Sequence, residues 1–327
     1  MNVLCVGLAV CDITLRPVPS DIFQKDICFI DKPETLIGGD AANVAVTLSK
    51  LGANAALCGY IGNDANGDYV FNQMKKEGID TTGICRHPDM ATVVCYILIE
   101  DSGQRHFVVH GQLSDILTER DIPDDLLQNA DLVYFGSVLA MKGMDEGGAA
   151  ALFKKARKLG KMTVADASAG RIERSSSSWL KLLEPVLNET DIFLPSYDEA
   201  VIISGEKDLS NIRKTFSKYG IKYLIVKLGE KGCYITDFHT DSIVPAFNSF
   251  EPIDTTGAGD SFTGGFIFGT LSGWAPETAA LFGNTVAGFN ITKPGATAGV
   301  PDFETAYNFM TNVVGKAHVN GKECSIL

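Results

Sequence analysis

The feature that most restricts how this chain can fold is a rhythm running nearly from end to end, in which short apolar runs alternate with segments of helical spacing. The strand-like runs fall at residues 3–10, 54–60, 132–135, 162–165, 192–194 and 223–226. Between them, Val44, Ala45, Leu48 and Leu51 share one helical face, as do Ala149, Leu152, Phe153, Ala156 and Leu159. Strands that are apolar throughout need cover on both faces, and helices between successive strands supply it. The pattern therefore predicts an α/β fold with a mainly parallel central sheet and helices on both sides. No Pro/Gly/Ser-rich linker divides the 327 residues and no internal repeat is visible, so one domain spanning 1–327 is expected. The serines at 175–178, just before Trp179, read as a loop leading into a helix cap.

Two stretches break the rhythm. Residues 13–37 are extended and punctuated by proline, and residues from about 91 to 112 alternate as strands do, through Thr92-Val-Val-Cys-Tyr-Ile-Leu-Ile99. Strands inserted into a layered fold must bury their open face or cover a site, so these are read as a small β lid. Such strands can also cover each other across a two-fold axis, which admits a homodimer through the lid.

A net charge of −12 argues against nucleic acid and anionic membrane as partners. No apolar run reaches the roughly 18 residues of a membrane span, and the apolar start lacks the basic flank of a signal peptide. Eight scattered cysteines without a Cys-x-x-Cys pair fit free thiols in a reducing cytoplasm. Three short matches are taken as coincidence: the terminal Cys324-Ser-Ile-Leu327 box, which no basic stretch precedes, and the glycosylation patterns at Asn188 and Asn290.

The segment Asp254-Thr-Thr-Gly-Ala-Gly-Asp260 opens an apolar helix with a turn of small residues. The first N–H groups of a helix are unpaired and its dipole favours negative charge, so Gly257, Ala258 and Gly259 form a candidate anion hole. Asp260, in the first turn, can accept a proton from an attacking hydroxyl. A second segment, Gly38-Gly-Asp-Ala-Ala-Asn43, opens another helix whose paired glycines let a ligand approach the backbone. Asn43 there can both donate and accept.

In this order, and with Gly52 and Gly62 at matching intervals, the two segments resemble the paired signatures of the PfkB, or ribokinase-like, carbohydrate kinase family. The resemblance covers essentially the whole chain and implies a ribokinase-like fold and an ATP-dependent kinase. On it, Asp260 resembles the catalytic base, and Asp12 with Gly38, Gly39 and Asn43 resembles the substrate-binding set. The Lys227-Leu-Gly229-Glu-Lys-Gly232 loop and Asn284 are similar to the nucleotide side. Asp254 and Thr256, with carbonyls of the loop 294–300, resemble a monovalent-cation site, implying potassium beside ATP and magnesium. Glu199 matches the glutamate that organises magnesium through water, but Ser196 stands where the family usually has Asn. Its hydroxyl can still hold a magnesium-bound water, and Asp198 is a further carboxylate that either shares that task or is simply solvated. No GxxxxGK[ST], post-strand GxGxxG or HExxH pattern occurs, which excludes P-loop kinases, dinucleotide dehydrogenases and that class of zinc hydrolase.

Asp12 and Asp40 are expected to make the substrate entrance acidic, favouring a neutral polyol. Asp40 occupies a position where ribokinases often carry Lys. Residues 103–111, including Arg105, resemble stretches of fructokinases and ketodeoxysugar kinases, in which case Arg105 can meet a substrate carboxylate or a phosphate, or stand as a lid-surface charge. The expected activity is transfer of the γ-phosphate to a primary hydroxyl of a free hexose or pentose. The alternatives are a sugar-acid kinase, a nucleoside kinase, a vitamin-precursor kinase and, in a different class, a catalytically silent sugar-binding regulatory protein. The paired glycines and the lid point away from the vitamin-precursor branch.

Overall fold

The computed structural model describes residues 1–111, 113–168 and 176–319. Ser175, the Cys324 box and the last lid position, residue 112, lie outside these. In chain order the strands are β1 (Asn2–Val6), β2 (Val10–Leu15), β3 (Glu34–Gly38), β4 (Asn54–Gly62), β5 (Ile84–His87), β6 (Val94–Ile99), β7 (Arg105–His110), β8 (Leu132–Val138), β9 (Met162–Ala167), β10 (Ile192–Phe193), β11 (Tyr223–Lys227), β12 (Cys233–Thr236) and β13 (Asp241–Val244). The helices are α1 (Asp40–Lys50), α2 (Ala65–Lys76), α3 (Asp124–Asn129), α4 (Ala149–Lys158), α5 (Ser176–Leu187), α6 (Tyr197–Ser204), α7 (Leu209–Phe216), α8 (Ala258–Leu271), α9 (Pro276–Asn290) and α10 (Phe303–Val319).

The large sheet has nine strands in the order β13-β12-β11-β10-β9-β8-β1-β4-β5. Pairing is parallel from β5 through β11 and antiparallel only at β11–β12 and β12–β13. Strand β8 shows why: all of its residues are buried, as cover on both faces demands. One face packs under α1, α2 and α8–α10, through Leu48, Val70, Phe266, Phe282 and Met310. The other packs under α3–α7, through Leu127, Leu152, Leu183, Ala200 and Ile212.

The run expected as one strand over residues 3–10 is two strands in two sheets. Gly7 takes φ +151°, a region L side chains rarely adopt, and ends β1 there. Val10 then opens β2, which belongs to a separate four-stranded sheet, β3-β2-β6-β7. The first lid segment is therefore not extended throughout: it holds β2 and β3, joined by a connection with a short 3-10 turn at Ile22–Gln24. The serine run also differs from expectation, since α5 begins at Ser176 and its first turn contains Ser176, Ser177 and Ser178. Asn290 is fully buried, so that glycosylation pattern is not presented at the surface, whereas Asn188 of the other is exposed beside a buried Thr190. No helix among the described residues is long and apolar enough to cross a membrane.

Helices α8 and α9 pack on each other and carry glycines and phenylalanines into the core on the α1 side of the sheet. Phe282 is fully buried, with its ring 5.3 Å from Trp274 and 5.9 Å from Phe268. Truncation to alanine leaves a cavity that these rings cannot close. Phe282→Ala is expected to lower the unfolding free energy by about 3–5 kcal/mol, checked by denaturant titration.

Candidate active site

Helix α8 begins as the sequence suggests. Gly257 is its N-cap in the left-handed region (φ +69°), and a Cβ there would lie 2.1 Å from the Ala296 carbonyl oxygen. Only glycine fits, because the loop 294–300 passes directly against it. The Ala258 amide donates to the Thr255 carbonyl at 3.3 Å, and the amides of Gly259 and Asp260 follow, with Asp260 in the first turn.

Helix α1 begins beside it. The Asn43 amide donates to Asp260 Oδ2 at 2.8 Å, so the two segments meet across 217 residues of chain. Asn43 is buried and its Oδ1 has no hydrogen-bond partner. Asp12 comes from strand β2, paired with Leu36 and Cys95, rather than from a turn after the first strand. A Cβ on Gly38 would stand 2.2 Å from its carboxylate, so that glycine makes room for Asp12. Burial, then the Asp260 charge, pushes the Asp12 carboxyl up to about 7. Burial and Asp40 push Asp260 up to about 6, against the pull of Asn43 and Lys227.

Asp40 does not line an open entrance. Its carboxylate accepts from the Ala41 amide at 2.6 Å and from the Ser137 hydroxyl of β8, which ties the start of α1 to the sheet. The acidity it contributes acts through space on Asp260.

The carboxyl ends of β9, β10 and β11 supply the rest, where ligand crevices form in open parallel sheets. Asp166, buried at the end of β9, accepts from Lys227 Nζ at 2.6 Å and from the Thr263 hydroxyl of α8 at 2.9 Å. Burial drives the Asp166 carboxyl up. Burial opposes the Lys227 ammonium, but Asp166 and Glu199 more than offset it and hold the lysine charged. Lys227 also lies against the α8 turn, since a Cβ on Gly259 would come within 3.6 Å of its ammonium. Asp166 was not among the residues expected from sequence. Its signal was available: an acidic residue at the carboxyl end of a strand in a parallel sheet.

Ser196 and Glu199 form a capping box at α6. The Ser196 amide donates to Glu199 Oε2 at 2.7 Å and the Glu199 amide to Ser196 Oγ at 3.3 Å. The Ser196 oxygen thus serves the cap as an acceptor, and Asp198 is exposed on α6. Glu199 remains close enough to Lys227, Asp166 and Asp260 to act on all three electrostatically. Among the described residues no three His, Cys, Asp or Glu side chains are grouped to hold a metal alone. The set fits a hard divalent cation that takes most ligands from phosphate and water.

A cavity of about 460 Å³ opens from this centre. Lys227, Gly229, Gly232 and Gly259 border it, and Phe247, Phe250, Ala287 and Ile291 give it apolar walls. Asn284 lines it too, but is a buried residue whose amide donates to the Pro245 and Val244 carbonyls at 3.0 and 3.2 Å, fixing the wall. Another cavity, of about 350 Å³, lies at the amino ends of β9–β11 and contains none of these residues.

Asp254 and Thr256 are arranged differently from a site for a dissolved cation. Asp254 accepts from the Thr256 and Gly295 amides at 2.8 and 2.9 Å, and Arg105 of β7 pairs with it at 2.8 Å. Arg105 also donates to the Thr256 hydroxyl. Burial works to raise Asp254, but the Gly295 and Thr256 donors and the guanidinium hold it below the ordinary carboxylate range. The Thr256 and Ala296 carbonyls accept from the Asn290 amide at 3.2 and 2.8 Å.

Residues 1–302 match the family described as pfkB family carbohydrate kinase. The chain is 29% identical over 234 residues to the probable fructokinase-5 of Arabidopsis thaliana, covering 70% of this chain and 72% of that protein. It is 28% identical over 278 residues to the ribokinase of Haemophilus influenzae, covering 84% and 87%. In fold it resembles a putative ribokinase II from E. coli in complex with ATP and Mg²⁺, with a TM-score of 0.77 and 21% identity over 95% of this chain and 99% of that one.

The Lys227–Asp166 pair has a testable energetic signature. Lys227→Met leaves a buried carboxylate unpaired and is expected to cost about 3 kcal/mol or more of stability. Lys227→Met combined with Asp166→Asn should cost clearly less than the two single changes summed, as read by a double-mutant cycle in denaturant.

Proposed function

The chain belongs to the pfkB family of carbohydrate kinases, and from that premise we propose that it transfers the γ-phosphate of ATP to a primary hydroxyl of a free sugar, a hexose or a pentose. The observation that carries this reading is the Asn43–Asp260 hydrogen bond, which puts the base of the α8 turn beside the substrate-side segment of α1. The hydroxyl lies between Asp260 and the γ-phosphate. Asp260 takes its proton while the new O–P bond forms and the bond to the ADP oxygen breaks. The amides following Gly257 and the Lys227 ammonium face the charge that gathers on the transferring group. Magnesium, when bound, neutralises phosphate charge, and Glu199 is the residue that would orient its water ligands. The apolar cavity beside Gly229 and Gly232 is of a kind that takes a nucleobase.

The substrate reading rests on the groups near Asp260. Asp12, with a carboxyl that titrates near neutrality, can both donate to and accept from sugar hydroxyls. Arg105, the cation expected to meet a substrate carboxylate, is committed to Asp254. This favours a neutral sugar over a sugar acid. Strand β7 is an edge of the second sheet, with Phe107, Val108 and Val109 largely exposed, which supports a homodimer formed through that sheet. The seven described cysteines are free, in keeping with a reducing cytoplasm.

ADP release should be measured with a panel of sugars, sugar acids and nucleosides beside Asp260→Asn. Turnover on one neutral sugar, reduced about 10²- to 10⁴-fold in the variant, is expected. Binding without turnover would sink the reading in favour of a silent sugar-binding protein. A pH profile gives a second check. Asp260 must be ionised to accept the proton, so kcat/KM should fall as pH drops below about 6. The Asn43 hydrogen bond stabilises the ionised form, so Asn43→Ala should move this acid limb to higher pH.

A further inference from the structure

The resemblance to the family implies a monovalent cation beside Asp254 and Thr256, and the residues present do not fit one. Such an ion needs several hard oxygens converging on one point, with no fixed positive charge among them. The Asp254 carboxylate, the Thr256 hydroxyl and two of the loop carbonyls already accept from nitrogen. Asp254 receives the Arg105 guanidinium at 2.8 Å on one oxygen and the Gly295 amide at 2.9 Å on the other. Arg105 reaches the Thr256 hydroxyl as well, and the Thr255 hydroxyl at 3.3 Å. In the facing loop, the Ala296 carbonyl accepts from Asn290 at 2.8 Å and the Thr297 carbonyl from Lys50 Nζ at 2.7 Å. Arg105 and Asp254 are both largely shielded, at 20% and 14% side-chain exposure, so their charges are weakly screened and a second cation beside them would be repelled.

We propose that Arg105 is the built-in cation of this site: its guanidinium holds the loop from Asp254 to the α8 turn in the role a dissolved potassium ion would fill, and the protein therefore needs none. The inference rests on the kinase reading for its catalytic meaning, but not for its geometry. Arg105 is the first residue of β7, at the end of the β6–β7 hairpin, so the charge is delivered by the second sheet and not from solution. Closure of that sheet and ordering of the anion hole become one event. Arg105 touches neither the base nor the α8 amides among the recorded contacts, and acts as a positioning residue through Asp254 and Thr256.

The test measures cation binding apart from turnover, so its failure and that of the kinase reading can be told apart. Melting midpoints of the native chain and of Arg105→Ala are compared in potassium chloride and in tetramethylammonium chloride at equal ionic strength, with thallium(I) NMR as a direct binding probe. The native chain should show the same midpoint in both salts and no specific thallium signal. Arg105→Ala should gain a potassium-specific rise of about 2 °C or more, together with a thallium signal. Arg105→Lys, which keeps a positive charge, should remain indifferent to potassium. If Arg105→Ala does not fold, Arg105→Gln is read in the same way. A potassium-specific shift in the native chain overturns the proposal, as does a folded Arg105→Ala or Arg105→Gln variant that stays indifferent to potassium.

Discussion

The hydrogen bond from Asn43 to Asp260 is the point on which the site turns. Each partner sits in the first two turns of its helix, so the contact fixes the starts of α1 and α8 against each other. Where two helices begin side by side, their unpaired N–H groups and dipoles add, and a strongly acidic chain gains one place that welcomes anions. The carboxylates gathered there, from Asp12, Asp40, Asp166 and Asp260, are a cost that the same place must bear. Burial raises all four, and Lys227, Asn43, Ser137 and Thr263 offset part of that penalty through direct contacts. What results is a centre where helix-start donors stand beside carboxyls that burial raises toward neutrality.

Much of this was legible in the sequence, because it follows from short-range rules. Apolar runs marked the central strands, and glycines before an apolar helix marked both N-termini. Even the Ser196-x-x-Glu199 capping box carries its usual signature, although family expectation drew attention to magnesium instead. Other features depend on contacts distant in the chain and left no local trace. Asp12 reads as a turn residue until β2 is seen to pair with β3 and β6 in another sheet. Arg105 reads as a surface charge until it is seen to reach a carboxylate far along the chain. The division of residues 3–10 between two sheets hinges on one backbone angle at Gly7, which composition cannot reveal.

Among the contacts that join the second sheet to the large unit, two differ in kind. Asp12 enters as a buried carboxylate above Gly38, where steric room was made for it. Arg105 enters as a charge that satisfies the loop leading to α8.

The aromatic wall of the larger cavity reaches further than the cavity itself. Phe250 packs its ring 4.9 Å from Phe289 of α9 and 4.8 Å from Phe309 of α10, and Phe247 lies 5.4 Å from the same Phe309. Phe309 is not among the lining residues, yet it braces two that are. The last described helix thus works as a buttress: a change at Phe309 would loosen Phe247 and Phe250 together, and with them the apolar wall of a cavity that Phe309 itself does not line.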